Sequence, residues 1–374
     1  MAGIYLHIPF CKQACHYCNF HFSTSLHYKP ELVASLQKEA ELRSGYLDGA
    51  PLETVYFGGG TPSLLSDGEL NSVLDTIRKN YNLLPHAELT LEANPDDITP
   101  ARLQAWKAAG INRLSIGTQS FFEDELRWMN RAHTAAHARQ CIEDSLAAGI
   151  TNLSIDLIYG SPLLSDERWE ENVRIATGYG IAHLSCYALT VEEKTPLHKQ
   201  IAQHQKTDVD NEQQARQFLL LMAWLKSAGY EHYEVSNFAK PGMRSRHNSS
   251  YWRGLPYLGL GPSAHSYNFK ERSWNIANNM AYNRSINEGI LPEEKETLTR
   301  EQRLNEYLMI ALRTIEGIDL NRVAGEATGS EWKDISSRLT VFLQEGLVRQ
   351  TENGYALTDE GMLRADGLAA ELFV

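Results

Sequence analysis

The sequence predicts an α/β fold in which parallel strands alternate with helices and curl into a partial (β/α)6 barrel, followed by a small C-terminal α+β domain. Over the first 290 residues, short apolar runs alternate with amphipathic stretches of helical period. Gly110 and Gly149 each follow a predicted helix, where a glycine commonly ends the last turn. Beyond residue 290 the alternation stops, which indicates that a second domain begins there.

Six strands with helices between them account for the predicted barrel. The strands are predicted at 4–8, 54–57, 88–92, 113–116, 152–158 and 183–188. The helices are predicted at 31–43, 67–79, 100–109, 135–148 and 166–177. Because active sites of TIM-like barrels lie at the carboxyl ends of the strands, we expect the functional residues where these strands end.

The predicted C-terminal domain, residues 291–374, begins with a polar linker at 291–296. Helices are expected at 300–314, 320–324 and 331–344, then two strands within 347–357 and a last helix from Asp359. Three helices and a hairpin resemble a winged-helix module, which often binds DNA. The third helix carries charges of both signs rather than a basic face, so capping the barrel or docking a protein is favoured.

Composition and charge exclude several classes of function. Hydrophobic residues make up 43% and charged residues 22% of the chain, as in an ordinary globular protein, and no segment approaches the roughly 18 apolar residues of a membrane span. Lys and Arg total 35 against 47 for Asp and Glu, so the net charge of −12 disfavours a nucleic acid partner. The first residues are too short and too mixed for a secretory signal, which predicts a cytoplasmic, reducing location.

Three cysteines near the N-terminus form the most informative motif. Cys11, Cys15 and Cys18 have C-x3-C-x2-C spacing directly after the first predicted strand. Iron-sulfur clusters are held by cysteine thiolates spaced a few residues apart. Three thiolates would leave one iron of a four-iron cluster without a protein ligand, and that iron could bind a small molecule. The motif therefore predicts a redox cofactor site.

Other interpretations of the cysteines stay open at this point. A structural zinc site would need a fourth ligand, for which His7, His16 and His21 are the nearby candidates. A disulfide is less favoured because the predicted compartment is reducing. The remaining cysteines, Cys141 and Cys186, stand singly in a predicted helix and a predicted strand, and we assign them no function.

Glycine and polar residues follow or occupy the ends of the next strands. Three glycines at 58–60 let a backbone approach a ligand closely, although a plain tight turn explains such a run equally well. Glu92 ends the third strand, where a carboxylate can bind ribose hydroxyls, and Gln119 follows the fourth. Asp156 lies inside an apolar strand and needs a partner or a ligand. Arg131 is the candidate partner, and an isolated surface arginine is an equally good interpretation of that residue.

Four segments, in order and approximate spacing, resemble the radical S-adenosylmethionine (SAM) proteins, and more narrowly the oxygen-independent coproporphyrinogen III oxidase group. They are 5–11 (YLHIPFC), 58–62 (GGGTP), 115–119 (SIGTQ) and 155–160 (IDLIYG). The resemblance covers nearly the whole chain. It implies that Cys11, Cys15 and Cys18 ligate a [4Fe-4S] cluster and that SAM chelates the fourth iron.

The same resemblance implies which residues surround SAM. Gly59, Gly60 and Thr61 would contact the methionine end and Glu92 the ribose. The other implied contacts are Tyr5, the backbone of Tyr17, Gln119, Arg131, Asp156 and, by a less direct match, Ala188. In such proteins an electron donor reduces the cluster, and SAM is cleaved to methionine and a 5′-deoxyadenosyl radical. The resemblance assigns no catalytic side chain.

Two departures separate the chain from the oxidases. Asn19 and Phe20 stand where the oxidases have a further cysteine, and the first strand begins at Ile4 without the oxidases' N-terminal extension. Instead, the segment 247–252 (HNSSYW) matches the H-N-x-x-Y-W motif of the heme chaperone branch of the family. This match implies a protein that carries heme as cargo and delivers it to apo-hemoproteins.

The heme-binding residues are expected in and after this motif. Histidine is a common axial ligand of heme iron, so His247 is the first candidate and His265 the second. Tyr251 and Trp252 would offer flat apolar faces to a porphyrin. Without the resemblance, the favoured interpretation is that His247 begins an ordinary loop and that the two aromatic side chains pack into the core. The alternatives are an anaerobic coproporphyrinogen III oxidase, or a related radical enzyme acting on another tetrapyrrole, and a zinc-stabilised binding protein.

Overall fold

The predicted barrel forms the centre of one twelve-stranded sheet in the structure, a computed structural model that describes residues 1–374. Six parallel strands are neighbours in chain order, and the sheet has two free edges, so the barrel is partial, as predicted. These strands are β1 (Ala2–Ile8), β2 (Leu52–Gly59), β3 (Leu83–Ala93), β4 (Arg113–Gln119), β5 (Leu153–Tyr159) and β6 (His183–Ala188).

The helices between these strands confirm the five predicted ones and add a short one. They are α1 (Lys29–Leu42), α2 (Asp67–Asn80), α3 (Pro100–Ala109), α4 (Glu123–Trp128), α5 (Ala135–Ala147) and α6 (Asp166–Gly178). Ser66 begins α2 with a capping box, and Gly110, at φ +99°, ends α3 in the left-handed conformation that glycine adopts most easily. The unpredicted α4 is too short for its period to be recognised.

Further strands extend the sheet beyond both ends of the barrel. Beyond β6 the sheet continues with β8 (Asn237–Ala239) and then β7 (Glu231–Glu234). Beyond β1 it continues with β9 (Tyr257–Leu260), which lies parallel to β1, and then with β10 (His265–Tyr267), β11 (Glu271–Asn275) and β12 (Glu293–Thr297). The helices of this part are α7 (Pro196–Ala202), α8 (Asn211–Ser227), α9 (Arg246–Trp252) and α10 (Asn279–Asn287).

The linker predicted at 291–296 is wrong, because most of this segment is the edge strand β12, paired antiparallel with β11. Its residues are all polar, so the strand has no hydrophobic alternation to reveal it. Side-chain charges add to the backbone pairing: Glu293 forms an ion pair with the buried Arg43 and lies 2.9 Å from the amine of Lys295. The domain division at 290/291 stays a prediction.

The C-terminal region has the predicted three helices and hairpin. Its elements are α11 (Arg300–Leu312), β13 (Ile318–Asp319), α12 (Leu320–Glu326), α13 (Gly329–Gln344), β14 (Val348–Gln350), β15 (Gly354–Leu357), α14 (Asp359–Met362) and α15 (Ala365–Glu371). The last predicted helix is thus divided in two, and β13 adds an unpredicted third strand to the hairpin. The region is fastened to the barrel side by backbone hydrogen bonds from Val235 to Arg313 and from Ile315 to Tyr233.

One hydrophobic core runs through both regions, so the C-terminal helices pack on the barrel rather than standing apart. Cys141 in α5 and Cys186 in β6 are buried in this core, as predicted for cysteines without a ligand. None of the helices combines the length and the hydrophobicity needed to span a bilayer.

Candidate functional site

The loop between β1 and α1 holds the three N-terminal cysteines where the first barrel strand ends. Cys11, Cys15 and Cys18 are half-buried free thiols. The Thr61 hydroxyl donates to Cys11 Sγ at 3.4 Å, and the Arg131 guanidinium donates to Cys15 Sγ at 3.3 Å. Burial, the largest effect, raises the pKa of Cys11 to about 11 and also raises the pKa of Cys18. The hydrogen bond from Thr61 and the charge of Arg131 act in the opposite direction and favour the thiolate, the form of cysteine that binds metals.

Each histidine considered as a fourth zinc ligand has a hydrogen-bond partner elsewhere, His21 through Nε2 to the Asn279 side chain at 2.7 Å. No group of three or more Cys, His, Asp or Glu side chains is arranged to hold a metal ion. His7 Nε2 is bonded to the His21 carbonyl at 2.9 Å, and His16 Nδ1 lies 3.1 Å from the Trp128 carbonyl.

The glycine turn after β2 packs directly on the cysteine loop. Gly59 has φ +108°, and a Cβ there would lie 2.7 Å from His7 Nδ1. A Cβ on Gly60 would lie 2.7 Å from the Phe10 carbonyl oxygen. Both positions therefore need glycine, and Thr61, which follows, is buried against the loop. At this point of the barrel mouth the surface is therefore formed by the backbone of the glycine turn rather than by side chains.

Two carboxyl groups face the interior of the barrel without a cationic partner. The Tyr56 hydroxyl donates to Glu92 at 2.7 Å, and burial, together with the charge of Asp156, raises the pKa of Glu92 to about 8. Burial also raises the pKa of Asp156 to about 6, and Ser115 donates to it at 3.3 Å. Two carboxyl groups of this kind fit a ligand that donates hydrogen bonds from hydroxyl groups and carries a positive charge, as SAM does with its ribose and sulfonium.

Arg131 does not form the predicted ion pair with Asp156. Its guanidinium donates to the Asn94 side chain at 2.7 Å and to the Gly117 carbonyl at 2.6 Å, in addition to Cys15. Asp156 forms no ion pair and is bonded to serine hydroxyls instead. The sequence carries no signal that separates these two sets of partners. Arg131 thus joins the cysteine loop to the ends of β3 and β4.

The remaining predicted SAM residues lie on strands β1, β4 and β6 and on the cysteine loop. Tyr5 of β1 stacks on Tyr56, with ring centroids 6.0 Å apart. Gln119 ends β4 in the left-handed conformation at φ +65°, which is unusual for a residue other than glycine. Tyr17 lies 3.5 Å from Arg131, and Ala188 ends β6 beside Tyr159. Their roles toward SAM stay predictions.

The 247–252 motif forms the short helix α9, which packs against the inner face of β1 and β2. His247 is 2% exposed, and both its ring nitrogens are hydrogen bonded: Nδ1 to the Thr54 hydroxyl and Nε2 to the Tyr251 hydroxyl, each at 2.8 Å. Its ring stacks on Tyr56 at 4.9 Å, and burial lowers its pKa to about 3. A Cβ on Gly3 would lie 2.7 Å from the Thr54 hydroxyl, so glycine at position 3 makes room for this contact.

Beside α9 a cavity of about 720 Å³ lies between the barrel and the C-terminal region. Trp252, Tyr251 and His265, all predicted to bind heme, line it, whereas His247 does not. The cavity is also lined by aromatic, histidine and charged residues and one isoleucine: Tyr5, His7, Phe20, His21, Tyr257, Tyr267, Arg303, Glu306, Tyr307, Ile310, Arg322 and Glu326. The cavity therefore combines the inner face of β1, β9 and β10 with the C-terminal helices α11 and α12.

Sequence reasoning missed most of this lining. The aromatic side chains of β9 and β10 could have been noticed as an alternating pattern in the stretch after the motif. The contributions of α11 and α12 had no such signal, because nothing in the sequence shows that these helices fold back over β1. Asn94, the partner of Arg131, was recognisable as a polar residue just after a strand.

Comparison with known proteins gives consistent matches. Residues 5–176 match the Radical SAM superfamily model, and residues 298–364 match the HemN C-terminal domain model. The chain is 34% identical to "Heme chaperone HemW" of Mycobacterium tuberculosis, covering 99% of this chain and 94% of that protein. It is 32% identical to the protein of the same name in Bacillus subtilis, covering 97% of each, and 31% identical to that of Escherichia coli, covering 100% and 98%.

Among solved structures, that of coproporphyrinogen III oxidase (HemN) from Escherichia coli superposes with a TM-score of 0.84. The match covers 100% of this chain and 90% of the oxidase at 22% sequence identity. At that identity the similarity establishes the fold of the whole chain, including the C-terminal region, and does not establish the reaction.

Proposed function

The chain belongs to the HemW heme chaperones of the HemN-like radical SAM family, and from that premise we propose that it binds a [4Fe-4S] cluster and SAM and carries heme to apo-hemoproteins. The observation that carries the proposal is the similarity to proteins named heme chaperone over nearly the full length of the chain, at 31–34% identity. Because that similarity includes the C-terminal region, it extends to the cavity that this region closes.

Cys11, Cys15 and Cys18 would ligate the cluster, with Thr61 and Arg131 as hydrogen-bond donors to the sulfurs. When bound, the cluster supplies SAM with an open iron and with the electron for its reductive cleavage. The chain's own part is to stabilise the negative charge on the thiolates through hydrogen bonds and to hold the loop in place. Arg131 does both, because it also holds Asn94 and the Gly117 carbonyl.

Glu92 and Asp156 would face the nucleoside of SAM, and the glycine turn its methionine end. A carboxylate that accepts from ribose hydroxyls is favoured in its charged form, so the ligand would offset the burial that raises the pKa of Glu92. Tyr56 keeps one oxygen of Glu92 oriented through its 2.7 Å hydrogen bond. These side chains would bind and orient SAM and exclude water from it.

Heme would be held as cargo in the cavity between the barrel and the C-terminal region. A volume of about 720 Å³ lies within the usual range of roughly 300–1,000 Å³ for small-molecule sites. The walls are rich in aromatic side chains, which suit a flat apolar macrocycle. Transfer requires an apo-hemoprotein client, and cluster reduction requires an electron donor. We propose that all of this takes place in the cytoplasm.

The proposal is tested by anaerobic reconstitution of the chain with iron and sulfide, followed by separate assays on one preparation. We expect about four irons per chain in a cluster, SAM binding, and heme that is retained through gel filtration and then transferred to an apo-hemoprotein. Stoichiometric zinc without iron would contradict the cluster. A cluster-loaded chain that does not retain heme would contradict the chaperone.

The same preparation distinguishes the oxidase. We expect no conversion of coproporphyrinogen III to protoporphyrinogen IX, because the chain lacks the further cysteine after the cluster loop, where Asn19 and Phe20 stand. Turnover that depends on SAM and reductant would replace the chaperone by an enzyme.

A further inference from the structure

The histidine of the 247–252 motif is engaged inside the protein and does not reach the cavity. Both nitrogens of His247 are hydrogen bonded at 2.8 Å, and its ring is fixed between Tyr56 and Tyr251. Coordination of iron would need one of these bonds to break and would leave a hydroxyl without its hydrogen-bond partner, which destabilises the protein. What His247 does in this structure is to hold Tyr251, whose ring forms part of the cavity wall.

Three other histidines line the cavity, and they differ in the state of their nitrogens. His7 is bonded on both sides, by the Tyr5 hydroxyl at 3.2 Å and the His21 carbonyl at 2.9 Å. His21 Nε2 is bonded to the Asn279 side chain at 2.7 Å, which leaves one nitrogen. His265 has no hydrogen bond on either nitrogen and its side chain is exposed to the cavity. His265 is therefore the one of the three whose two nitrogens are both free, whereas His21 keeps a single free nitrogen.

The position of His265 suits this role. Partial burial and the charge of Arg272 lower the pKa of its imidazole, which favours the neutral ring. The ring lies beside Trp274, with centroids 6.1 Å apart, on the strand next to β9. The close pairing of β9 and β10 fixes the backbone there, because a Cβ on Gly259 would overlap the His265 carbonyl.

The opposite wall of the cavity offers cations and aromatic faces from the C-terminal region. Arg303 of α11 donates only to the Leu298 carbonyl and has no carboxylate partner. Arg322 of α12 lies over the Tyr307 ring at 3.9 Å and pairs loosely with Glu326 at 3.7 Å. The second carboxylate of this wall, Glu306, is already paired with Arg272 at 2.8 Å. The free charge on this side is thus positive.

We propose that the cavity is the heme site, with His265 as the axial ligand of the iron, Arg303 and Arg322 facing the propionates, and His247 as a positioning residue for Tyr251. The arrangement places the iron on the barrel side and the carboxylates on the C-terminal side. It rests on the proposed function, because it assigns the residues that would hold the cargo. It differs from the motif-based expectation, in which His247 is the ligand.

The test is a heme titration of the cluster-reconstituted full chain, with the Soret band recorded for wild type, His265→Ala, His247→Ala and the matched control His86→Ala. His86 is exposed and lies outside the cavity. We expect His265→Ala to shift the Soret maximum and to weaken binding at least tenfold, and added imidazole to restore the wild-type spectrum. His247→Ala should keep the wild-type Soret position, and His86→Ala should match wild type throughout.

Further variants keep the two levels of the proposal separate. Arg303→Gln should weaken heme binding several-fold without moving the Soret maximum, since propionates do not ligate the iron. If wild type binds no heme, the proposed function fails. If wild type binds heme but His265→Ala keeps its spectrum and affinity while His247→Ala loses them, the chaperone stands and this site assignment is overturned. Circular dichroism of each variant shows that it is folded.

Discussion

The mouth of the barrel and the heme cavity are neighbouring spaces that the chain builds in different ways. The mouth is formed by consecutive strand–loop units between Tyr5 and Asp156, so each predicted residue lies in one repeating pattern. The cavity combines β1 and β9 with α11 and α12, which are separated by up to about 300 residues in the sequence. Repetition makes the first region recognisable from the sequence, whereas the second exists only because distant segments pack together.

The two regions also differ in how they treat histidine and acid side chains. In the mouth, Glu92 and Asp156 are buried without a cationic partner, and burial raises the pKa of both. Near the cavity, the motif histidine is fully bonded and a histidine outside the motif is free. A motif therefore marks a region of the fold, while the hydrogen bonds decide which of its side chains can act on a ligand.

The largest effect that separates the regions is expected from Cys15→Ala, which should abolish the cluster. Three thiolates are needed to hold it, and the loss of one leaves two irons without protein ligands. Iron and sulfide analysis after reconstitution, with the absorbance of the cluster, measures the loss. The control Cys141→Ala removes a buried cysteine of α5 and should retain the full iron content. A cluster that persists in Cys15→Ala would show that the ligands are elsewhere.

Glu92→Gln should weaken SAM binding by about 1–3 kcal/mol, the range for losing hydrogen bonds to a charged group. The matched control is Glu88→Gln on the same strand, because the Glu88 carboxylate instead accepts the backbone N–H groups that begin α9, at 3.1 and 3.2 Å. Calorimetry on the reconstituted variants compares the two. Equal affinities for Glu92→Gln, Asp156→Asn and wild type would remove these acids from the SAM site.

The stability of the α9 contact should depend on pH through His247. Its folded pKa of about 3 lies below the value near 6.5 of an unfolded chain, so the folded state binds fewer protons and the stabilisation is present above pH 6.5 and lost as the pH falls toward 3. We expect His247→Gln to be less stable than wild type at pH 7 and the difference to shrink by pH 4. Urea unfolding at several pH values measures it. A difference that grows on acidification would mean that His247 is protonated in the folded chain.

The smallest effect is expected from Phe20→Ala, at the rim of the cavity. Phe20 is 68% exposed yet lines the space, so covering it with a porphyrin should contribute about 0.5–1.5 kcal/mol. Heme titration should show a correspondingly weaker affinity and an unchanged Soret maximum. The control Phe373→Ala removes an exposed phenylalanine outside the cavity. Identical affinities for both variants would place the porphyrin away from the rim.

Much of the barrel was predictable because strand and helix periods repeat and glycines mark the helix ends. The strands were placed within a few residues, and the opening was located from the rule that strand ends carry function. The failures have physical causes. The edge strand β12 is polar on both faces, and Arg131 is bonded to Asn94, 37 residues away in the sequence. Local sequence composition predicts neither property.

The heme residues show the limit most clearly. The sequence indicated the segment 247–266, and three of its four candidate residues line the cavity. It could not show that Thr54 and Tyr251 occupy the nitrogens of His247, because Thr54 is 193 residues away. Nor could it show that Arg303 and Arg322 close the cavity from the C-terminal region. Long-range packing, rather than the motif, decides the geometry of this site.

The account is tested most directly by anomalous diffraction at the iron edge from crystals of the reconstituted, heme-loaded chain. It predicts two separate sets of iron: a compact group of four beside Cys11, Cys15 and Cys18, and a single iron in the cavity within bonding distance of a His265 nitrogen. An isolated iron bound to His247, or heme iron outside the cavity, would contradict it.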